Sequence, residues 1–209
     1  MLITSTNTLR ECDFRYDALL FDFDGVLADT ERVHHRAWNQ TLEPLGIQLD
    51  WPAYQKNFVG VADEVALRER LHLDDRDGLV ARKQALFRKG LAESQPFLAE
   101  TVSLLEELRR VYTLAVVSSS YKSEVEPPLI RSGIRACFQL LITGEDVQHF
   151  KPSPEPYLLA AERLGARRPL VIEDSDAGVA SGRAAGFEVL RVSAVENVGR
   201  EVRERLGLG

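Results

Sequence analysis

Short apolar runs alternate with helical patterns over residues 96–193 of this 209-residue chain. The strand-like segments in this range are Thr113–Val117, Leu140–Ile142, Leu170–Ile172 and Glu188–Val192, and a further one, Ala18–Phe23, lies near the start of the chain. Apolar residues at helical spacing lie between most of them. A repeated strand–helix–strand order is typical of a parallel sheet whose faces are covered by helices. The alternation therefore predicts an α/β fold.

Several helices of this region can be placed from their apolar stripes and end signals. One stripe comprises Leu104, Leu105, Leu108 and Val111, and a second comprises Tyr157, Ala161 and Leu164, with a start at Ser153-Pro154 and a stop at Gly165. A third comprises Val125, Leu129 and Ile130 and ends at Gly133. Because Pro127 and Pro128 lie near its start, we expect an irregular first turn there.

Residues 30–95 break the alternation, since they contain helical patterns and no convincing strand. The stripes are His34, Trp38, Leu42 and Leu45 in one helix and Leu79, Val80, Phe87 and Leu91 in another. We expect Trp38, Leu42 and Leu45 to form the core of an all-helical insert. His34 shares their stripe, so it is either a buried structural histidine or a substrate contact. Arg82 and Lys83 fit a solvated helix face better than substrate anchors.

Composition and charge limit the function classes. The net charge of −6 argues against a protein that binds a nucleic-acid backbone, and no apolar run reaches the roughly 18 residues of a membrane span. The two cysteines, Cys12 and Cys137, form neither a disulfide framework nor a zinc site. The polar N-terminus lacks a signal-peptide pattern. We expect a cytoplasmic protein, a monomer or weak homodimer, that engages neither nucleic acid nor membrane.

Polar residues follow four of the predicted strands. Asp22 and Asp24 end the first, and Ser118, with Ser119 and Ser120, ends the second. Lys151 follows the third after a loop, and Glu173 and Asp174 end the fourth. The carboxyl ends of parallel strands meet in one crevice, where ligands bind in open α/β sheets. The sequence therefore predicts that these groups converge.

Together these residue types suit phosphoryl transfer. Several carboxylates and a backbone carbonyl form a hard oxygen site of the kind that Mg²⁺ prefers. Asp22 can attack phosphorus to form an aspartyl-phosphate, and Asp24 can protonate the leaving oxygen and later activate water. Ser118 and nearby backbone N–H groups can hold phosphoryl oxygens, Lys151 supplies a positive charge, and Gly25 permits a tight turn after the acidic pair.

The motifs resemble those of the haloacid dehalogenase superfamily, in order and over most of residues 17–193. The segment Asp22-Phe-Asp24-Gly25-Val26-Leu27-Ala28-Asp29-Thr30 resembles its first motif. Ser118 matches the second motif, Lys151-Pro152 the third, and Glu173-Asp174-Ser175-Asp176-Ala177-Gly178 the fourth. Each motif alone is weak to moderate, but four in order after strands are a specific signal.

The resemblance implies a Rossmann-like core over residues 1–29 and 96–209, a helical cap over residues 30–95, and Mg²⁺ as cofactor. It makes Asp22 the nucleophile, Asp24 the general acid and base, and Lys151 a further catalytic residue. The implied metal ligands are Asp22, the Asp24 carbonyl, Asp174 and Glu173. The residues expected at the substrate or its phosphate are Ser118, Ser119, Gly25 and His34.

Within the superfamily the chain resembles the branch of β-phosphoglucomutase and small-metabolite phosphatases. The segment Phe58–Asp63 resembles the mutase's specificity loop, but Val59 and Asp63 stand where the mutase has basic residues that grip a second phosphate. Asp63 would repel that phosphate by like charge. Asp24 also argues against a dehalogenase, which has no leaving alcohol to protonate. The favoured hypothesis is a phosphatase acting on a small phosphorylated metabolite, such as a sugar or polyol phosphate.

Three alternatives stay open at this point. The first is a phosphomutase, which would need a bisphosphate activator. The second is a receiver module phosphorylated on aspartate, although receivers are shorter, lack a helical insert and carry the phosphorylated aspartate on a later strand. The third is a relative that has lost catalysis and binds a metabolite or partner, which the complete set of candidate groups does not favour.

Overall fold

The computed structural model describes residues 15–75 and 77–208. Its centre is a five-stranded parallel sheet with the order β3-β2-β1-β4-β5. The strands are β1 Ala18–Phe21, β2 Thr113–Val117, β3 Leu140–Ile142, β4 Pro169–Glu173 and β5 Glu188–Arg191. The helices around the sheet are α5 Ala99–Leu108, α6 Lys122–Arg131, α7 Glu155–Leu164, α8 Asp176–Ala184 and α9 Val198–Leu206. The predicted α/β fold is confirmed.

The central strands of the sheet are buried on both faces, as expected of strands whose sequences are continuous apolar runs. Leu19 and Phe21 of β1 point into one buried cluster, and Ala18 and Leu20 point into the other. The register sets Phe21 beside Val116 of β2 and Ile172 of β4. The residues that follow these three therefore emerge side by side at the carboxyl edge of the sheet.

A block of helices lies between β1 and α5, and its described residues contain no strand. The helices are α1 Glu31–Leu42, α2 Trp51–Asn57, α3 Asp63–Val65, which continues as a π-helical turn over Ala66–Arg70, and α4 Leu79–Ala92. Trp38 and Leu42 anchor its larger core cluster, and Phe87 and Leu91 the smaller one. The helical cap is thus confirmed. The Asp29 N–H donates to the Pro96 carbonyl at 2.8 Å, so the two chain segments that flank the helical block lie side by side. The domain boundaries after residues 29 and 95 stay a prediction.

Three apolar residues assigned to buried stripes are exposed. Val111 is 52% exposed, because α5 ends at Leu108 and Val111 lies beyond it. Leu45 is 48% exposed, because α1 ends at Leu42 and a 3₁₀ turn over Glu43–Leu45 rotates it away from the stripe. Ile130 is 61% exposed, because only Val125 and Leu129 face the core on α6. The predicted stripes are therefore correct at their centres and wrong at their ends.

The expectation of an irregular first turn at Pro127 and Pro128 is also wrong. Helix α6 begins at Lys122, so both prolines lie inside it. The Glu124 carboxylate accepts the Tyr121 N–H at 3.0 Å and secures the first turn instead. Burial of one apolar face holds the helix together across the two hydrogen bonds that proline cannot donate.

The polar N-terminus up to residue 14 lies outside the described residues, and so does Cys12. Tyr16 belongs to no helix or strand, but it is buried in the larger core cluster of the sheet. Cys137 is a buried free thiol. In the described ranges no helix is both long and apolar enough to cross a membrane.

Candidate active site

Asp22 leaves β1 at the carboxyl edge of the sheet, where its N–H donates to the Ile172 carbonyl at 2.9 Å. The chain then turns at Gly25, whose N–H donates to the Ala28 carbonyl at 2.9 Å and whose φ is +77°. A Cβ on Gly25 would lie 2.2 Å from Oδ2 of Asp174. Glycine is thus required both for the turn and for the approach of Asp174. The expected contact of Gly25 with phosphate stays a prediction.

Lys151 joins the first, second and fourth strands. Its Nζ lies 2.6 Å from Oδ1 of Asp22, 2.6 Å from Oε1 of Glu173 and 2.8 Å from the Val117 carbonyl. Burial disfavours an ammonium, but the two carboxylates hold the pKa of Lys151 well above its ordinary value. Lys151 therefore carries its charge inside the site, as the sequence predicted.

Glu173 accepts hydrogen bonds on both of its carboxylate oxygens. Oε1 accepts hydrogen bonds from the Lys151 ammonium and, at 2.9 Å, from the buried hydroxyl of Tyr157. Oε2 takes the N–H groups of Asp174 and Ser175 and the Ser175 hydroxyl. A Cβ on Gly178 would lie 1.7 Å from the same carboxylate. This close packing fixes Glu173 in place beneath Lys151.

Three carboxylates form a group suited to a divalent cation. Asp22, Glu173 and Asp174 each offer an oxygen within 4.8 Å of the others. Burial, followed by the charge of Glu173, raises the pKa of Asp174 to about 7, and burial raises that of Asp22 well above its usual value against the pull of Lys151. Carboxylates this crowded are stabilised by a hard cation, so the residues fit Mg²⁺. The hydrogen bonds already made by Glu173 favour Asp22 and Asp174 as its ligands.

The Asp24 carboxylate faces the cap. Oδ1 accepts the Thr30 hydroxyl at 2.6 Å and lies 3.0 Å from Nε2 of His34, while Oδ2 accepts the Ser120 hydroxyl at 2.7 Å. Burial would raise the pKa of Asp24, but the hydrogen bond from His34 and those from the two hydroxyls hold that pKa well below its ordinary value. Asp24 is therefore poised as a carboxylate.

A chain of cap residues leads away from Asp24. Nδ1 of His34 lies 2.8 Å from Nζ of Lys83, and the Lys83 ammonium lies 2.6 Å from Oδ1 of Asp63. An ammonium can only donate, so Nδ1 accepts and Nε2 of His34 donates to Asp24. His34 also stacks on Phe87 with ring centroids 3.8 Å apart. His34 is therefore buried and contacts a candidate catalytic group, and its contact with substrate stays a prediction.

Lys83 does not lie on a solvated face, and that expectation is wrong. It is 1% exposed because Asp63 and His34 satisfy its ammonium inside the cap. A signal is present in the sequence, since Lys83 lies midway between the buried Leu79 and Phe87 at a spacing of four. Arg82 is exposed, as expected, and its guanidinium donates to the Gln40 carbonyl at 3.3 Å.

The three serines after β2 take different positions. The Ser118 hydroxyl accepts the Ser120 N–H at 3.0 Å, and its own N–H donates to the Ile142 carbonyl. The Ser119 hydroxyl is buried, has no hydrogen-bond partner among the described residues and lines the pocket. Ser119 thus offers an unpaired hydroxyl to the pocket that Asp22 also lines, whereas contact of Ser118 with phosphate stays a prediction.

The site opens into one pocket between sheet and cap. The core side includes Asp22, Asp24, Ser119, Ser120 and Lys151, and the cap side includes Glu31, His34, Trp38, Tyr54, Phe58 and Asp63. The loop that contains Gly60 packs directly on the core. A Cβ on Gly60 would lie only 2.5 Å from the Ser175 side chain. The structure is therefore that of a closed cap.

Sequence reasoning does not assign a role in the site to Tyr157, Glu31, Tyr54 or Tyr121. Tyr157 lies on a predicted apolar stripe. Its spacing predicts that the ring is buried but does not predict a hydrogen bond from the hydroxyl. The others lie on cap or loop segments whose orientation depends on how the cap closes. Pairing across two domains leaves no periodic signal in the sequence.

Residues 19–192 match the haloacid dehalogenase-like hydrolase family, which covers both the sheet and the cap. The chain belongs to that family. Phosphoric monoester hydrolysis is the activity of named relatives across the same length. The alternatives of a receiver module and a non-catalytic binding protein are therefore not supported.

Two characterised relatives and one solved structure of the family illustrate the similarity. The chain is 30% identical over 187 residues to the fructose-1-phosphate phosphatase YqaB of Escherichia coli, covering 85% of this chain and 97% of that one. It is 30% identical to a phosphorylated carbohydrates phosphatase of Thermotoga maritima, covering 82% of each. CbbY of Rhodobacter sphaeroides, solved with xylulose-(1,5)bisphosphate, has a TM-score of 0.75 and 28% identity, over 83% of this chain and 84% of that one.

Proposed function

We propose that the protein is a Mg²⁺-dependent phosphatase that hydrolyses the monoester of a small phosphorylated sugar or polyol through an aspartyl-phosphate on Asp22. One observation carries the proposal. The Asp22 carboxylate lies at the floor of a capped pocket, 2.6 Å from a buried ammonium and within 4.8 Å of donor oxygens of Asp174 and Glu173. That combination supports a nucleophile, an anion site and a cation site around one atom.

Asp22 and Asp174, with the Asp24 carbonyl, would hold the metal. When bound, Mg²⁺ screens the charge of the phosphoryl group from the carboxylates and fixes its orientation. Without the metal, Lys151 balances part of the charge of Asp22 and Glu173. With the metal bound, Lys151 contributes to phosphate binding. Glu173 and Tyr157 hold the Lys151 side chain at the required point.

In the first step a carboxylate oxygen of Asp22 attacks phosphorus, and the bond from phosphorus to the ester oxygen breaks. Asp24 takes up a proton from solvent as the phosphate dianion binds beside it, and donates that proton to the departing oxygen. The first product is an alcohol, and the phosphoryl group stays on Asp22.

In the second step water attacks the phosphorus of the aspartyl-phosphate. Asp24, again a carboxylate, accepts a proton from the water, and the bond from phosphorus to Asp22 breaks. Inorganic phosphate leaves and the Asp22 carboxylate is restored. The hydrogen bonds from Thr30, His34 and Ser120 keep Asp24 aligned for both transfers.

Sugar or polyol esters fit the cap side of the pocket. Trp38, Tyr54 and Phe58 supply apolar ring surface, while Glu31 and Asp63 supply acceptors for hydroxyl donors. The two curated relatives named above act on phosphorylated carbohydrates, which supports the same substrate class here.

The experiment is phosphate release from a panel of sugar, polyol and nucleotide monophosphates, with and without Mg²⁺. The proposal expects metal-dependent release from sugar or polyol esters. Release without metal, or from nucleotides alone, would contradict it. Interconversion of sugar phosphates that requires a bisphosphate activator would establish the mutase alternative instead.

A further inference from the structure

The cap wall of the pocket carries a buried lysine whose charge is already neutralised. Lys83 is 1% exposed, and its Nζ lies 2.6 Å from Oδ1 and 2.8 Å from Oδ2 of Asp63. Asp63 lines the pocket, and Lys83 lies behind it. A ligand in the pocket therefore meets the carboxylate and not the ammonium.

The neighbouring acidic groups are paired with hydroxyls. The Tyr54 hydroxyl donates to Oε2 of Glu31 at 2.5 Å, and the Tyr121 hydroxyl donates to Oε1 of Glu64. A hydroxyl stabilises a carboxylate by hydrogen bonding but leaves its negative charge uncompensated. The cap side consequently presents negative charge from Glu31 with no matching cation among the described residues that line it.

No basic side chain among the described lining residues is free to meet a ligand at the cap end. Among its lining residues in the described part of the chain, the basic side chains are Lys151 and His34. Lys151 is engaged by Asp22 and Glu173, and His34 is engaged by Asp24 and Lys83. An anionic group at the cap end would therefore be desolvated with no counter-ion.

We propose that Asp63, by holding Lys83, restricts the enzyme to phosphate esters whose leaving group is uncharged. Esters whose leaving group carries a carboxylate or a second phosphate are rejected. This inference rests on the proposed phosphatase function and names a residue that sets its substrate class. Hydroxyl groups, in contrast, can donate to the carboxylates of Glu31 and Asp63, so polyhydroxy leaving groups are accepted.

The test uses pairs of esters that differ in charge at the distal end. One pair is 2-hydroxyethyl phosphate and 2-phosphoglycolate, and another is fructose 1-phosphate and fructose 1,6-bisphosphate. The native enzyme should prefer the uncharged member by at least about tenfold in kcat/KM, since one unpaired charge a few ångströms away has an effect of that order or more. Equal use of both members, or preference for the anion, would overturn the proposal.

Asp63→Asn removes the charge that neutralises Lys83 and keeps the side-chain shape. The preference within each pair should fall by about tenfold or reverse, because the Lys83 charge then reaches the pocket. Asp63→Glu retains the charge and should keep the native preference. Glu93→Gln gives the same change in net charge at the exposed end of α4 and should also keep it. An unchanged preference in Asp63→Asn would refute the role of Asp63.

A ratio within a pair separates this inference from the proposed function. If no ester of either kind is hydrolysed, the phosphatase proposal fails, and no ratio of kcat/KM values can be measured. If hydrolysis occurs without charge preference, the phosphatase proposal stands and the inference fails. If Asp63→Asn melts below the assay temperature, the native ratios and the Asp63→Glu ratio still decide the outcome.

Discussion

The two walls of the pocket handle charge in opposite ways. On the core wall, the carboxylates of Asp22, Glu173 and Asp174 outnumber the single ammonium of Lys151. On the cap wall, Asp63 and Lys83 cancel each other. The core wall thus needs a cation and a phosphate to balance its charge, whereas the cap wall keeps the negative charge of Glu31 and has no free cation among its described lining residues. A site can therefore bind a charged group at one end and select a neutral group at the other.

The largest effect should follow from removing the proton carrier that lies between the two walls. Asp24→Asn should lower kcat by about 10²–10⁴-fold, the usual contribution of a general acid and base. The loss should be smallest for the formation of 4-nitrophenol from 4-nitrophenyl phosphate, because that leaving group needs no proton. A pre-steady-state burst of 4-nitrophenol followed by slow turnover is the expected signature.

Thr30→Val is the matched control, since it removes only one hydrogen bond to the Asp24 carboxylate. Its kcat should fall by about tenfold, in line with the lower end of the contribution of one hydrogen bond to a charged group, about 1.5 kcal/mol. Native kcat in Asp24→Asn on an unactivated ester would contradict the assigned role.

Closure of the cap wall onto the core wall can be broken at Gly60. Gly60→Ala introduces a Cβ 2.5 Å from the Ser175 side chain, so the closed arrangement should be lost and kcat/KM should fall by tens of fold. Gly46→Ala is the control, because Gly46 has a similar φ of +69° and nothing within 4 Å of its Cβ position. Both variants should lose a similar amount of stability, about 1 kcal/mol, in thermal unfolding. Equal activities of the two would show that the Gly60 contact is unimportant.

The core wall can be loosened at Tyr157 without removing a charge. Tyr157→Phe deletes the hydroxyl that donates to Glu173 at 2.9 Å, so Glu173 and Lys151 should be held less firmly. We expect kcat to fall by several fold with little change in KM, and stability to fall by about 1–3 kcal/mol. Tyr16→Phe removes a hydroxyl bound to Glu188 near the opposite edge of the sheet and should affect stability only. Loss of activity in both variants would contradict a positioning role.

The smallest effect concerns the pH dependence of stability. The pKa of Asp174 is about 7 in the metal-free fold, against an ordinary value of 3.8 for an aspartate, so the folded state binds the extra proton between these values. Stability should therefore fall as pH rises from about 4 to 7. Mg²⁺ should remove that loss, so the rise in Tm on adding Mg²⁺ should be larger at pH 8 than at pH 5. Asp174→Asn should abolish the difference between the two pH values.

The convergence of Asp22, Ser119, Lys151 and Asp174 can be predicted because parallel strands bring their carboxyl ends to one edge. The rule predicts contact between residues that lie about 150 positions apart in the sequence, and it requires only the positions of the strands. The register of β1 with β2 and β4 then places the groups side by side. The core half of the site is therefore accessible from the sequence.

The cap half is not accessible in the same way. The sequence favours a solvated Lys83 because a lysine on a helix is usually exposed, and its burial depends on Asp63 and His34, which come from two other segments. Leu45, Val111 and Ile130 show the complementary error, since apolar spacing predicts which face of a helix is buried but not where that helix ends. Tyr157 is missed because its ring explains its burial and conceals the role of its hydroxyl.

The most direct test of the account is whether Asp22 carries the phosphoryl group during turnover. The enzyme is mixed with a hydrolysed ester and Mg²⁺, quenched in acid within one turnover and digested, and the peptides are analysed by mass spectrometry. The account predicts one added phosphoryl group, labile to hydroxylamine, on the peptide that contains Asp22, and none in Asp22→Asn. An active enzyme with no covalent phosphate at Asp22, or an active Asp22→Asn variant, would contradict it.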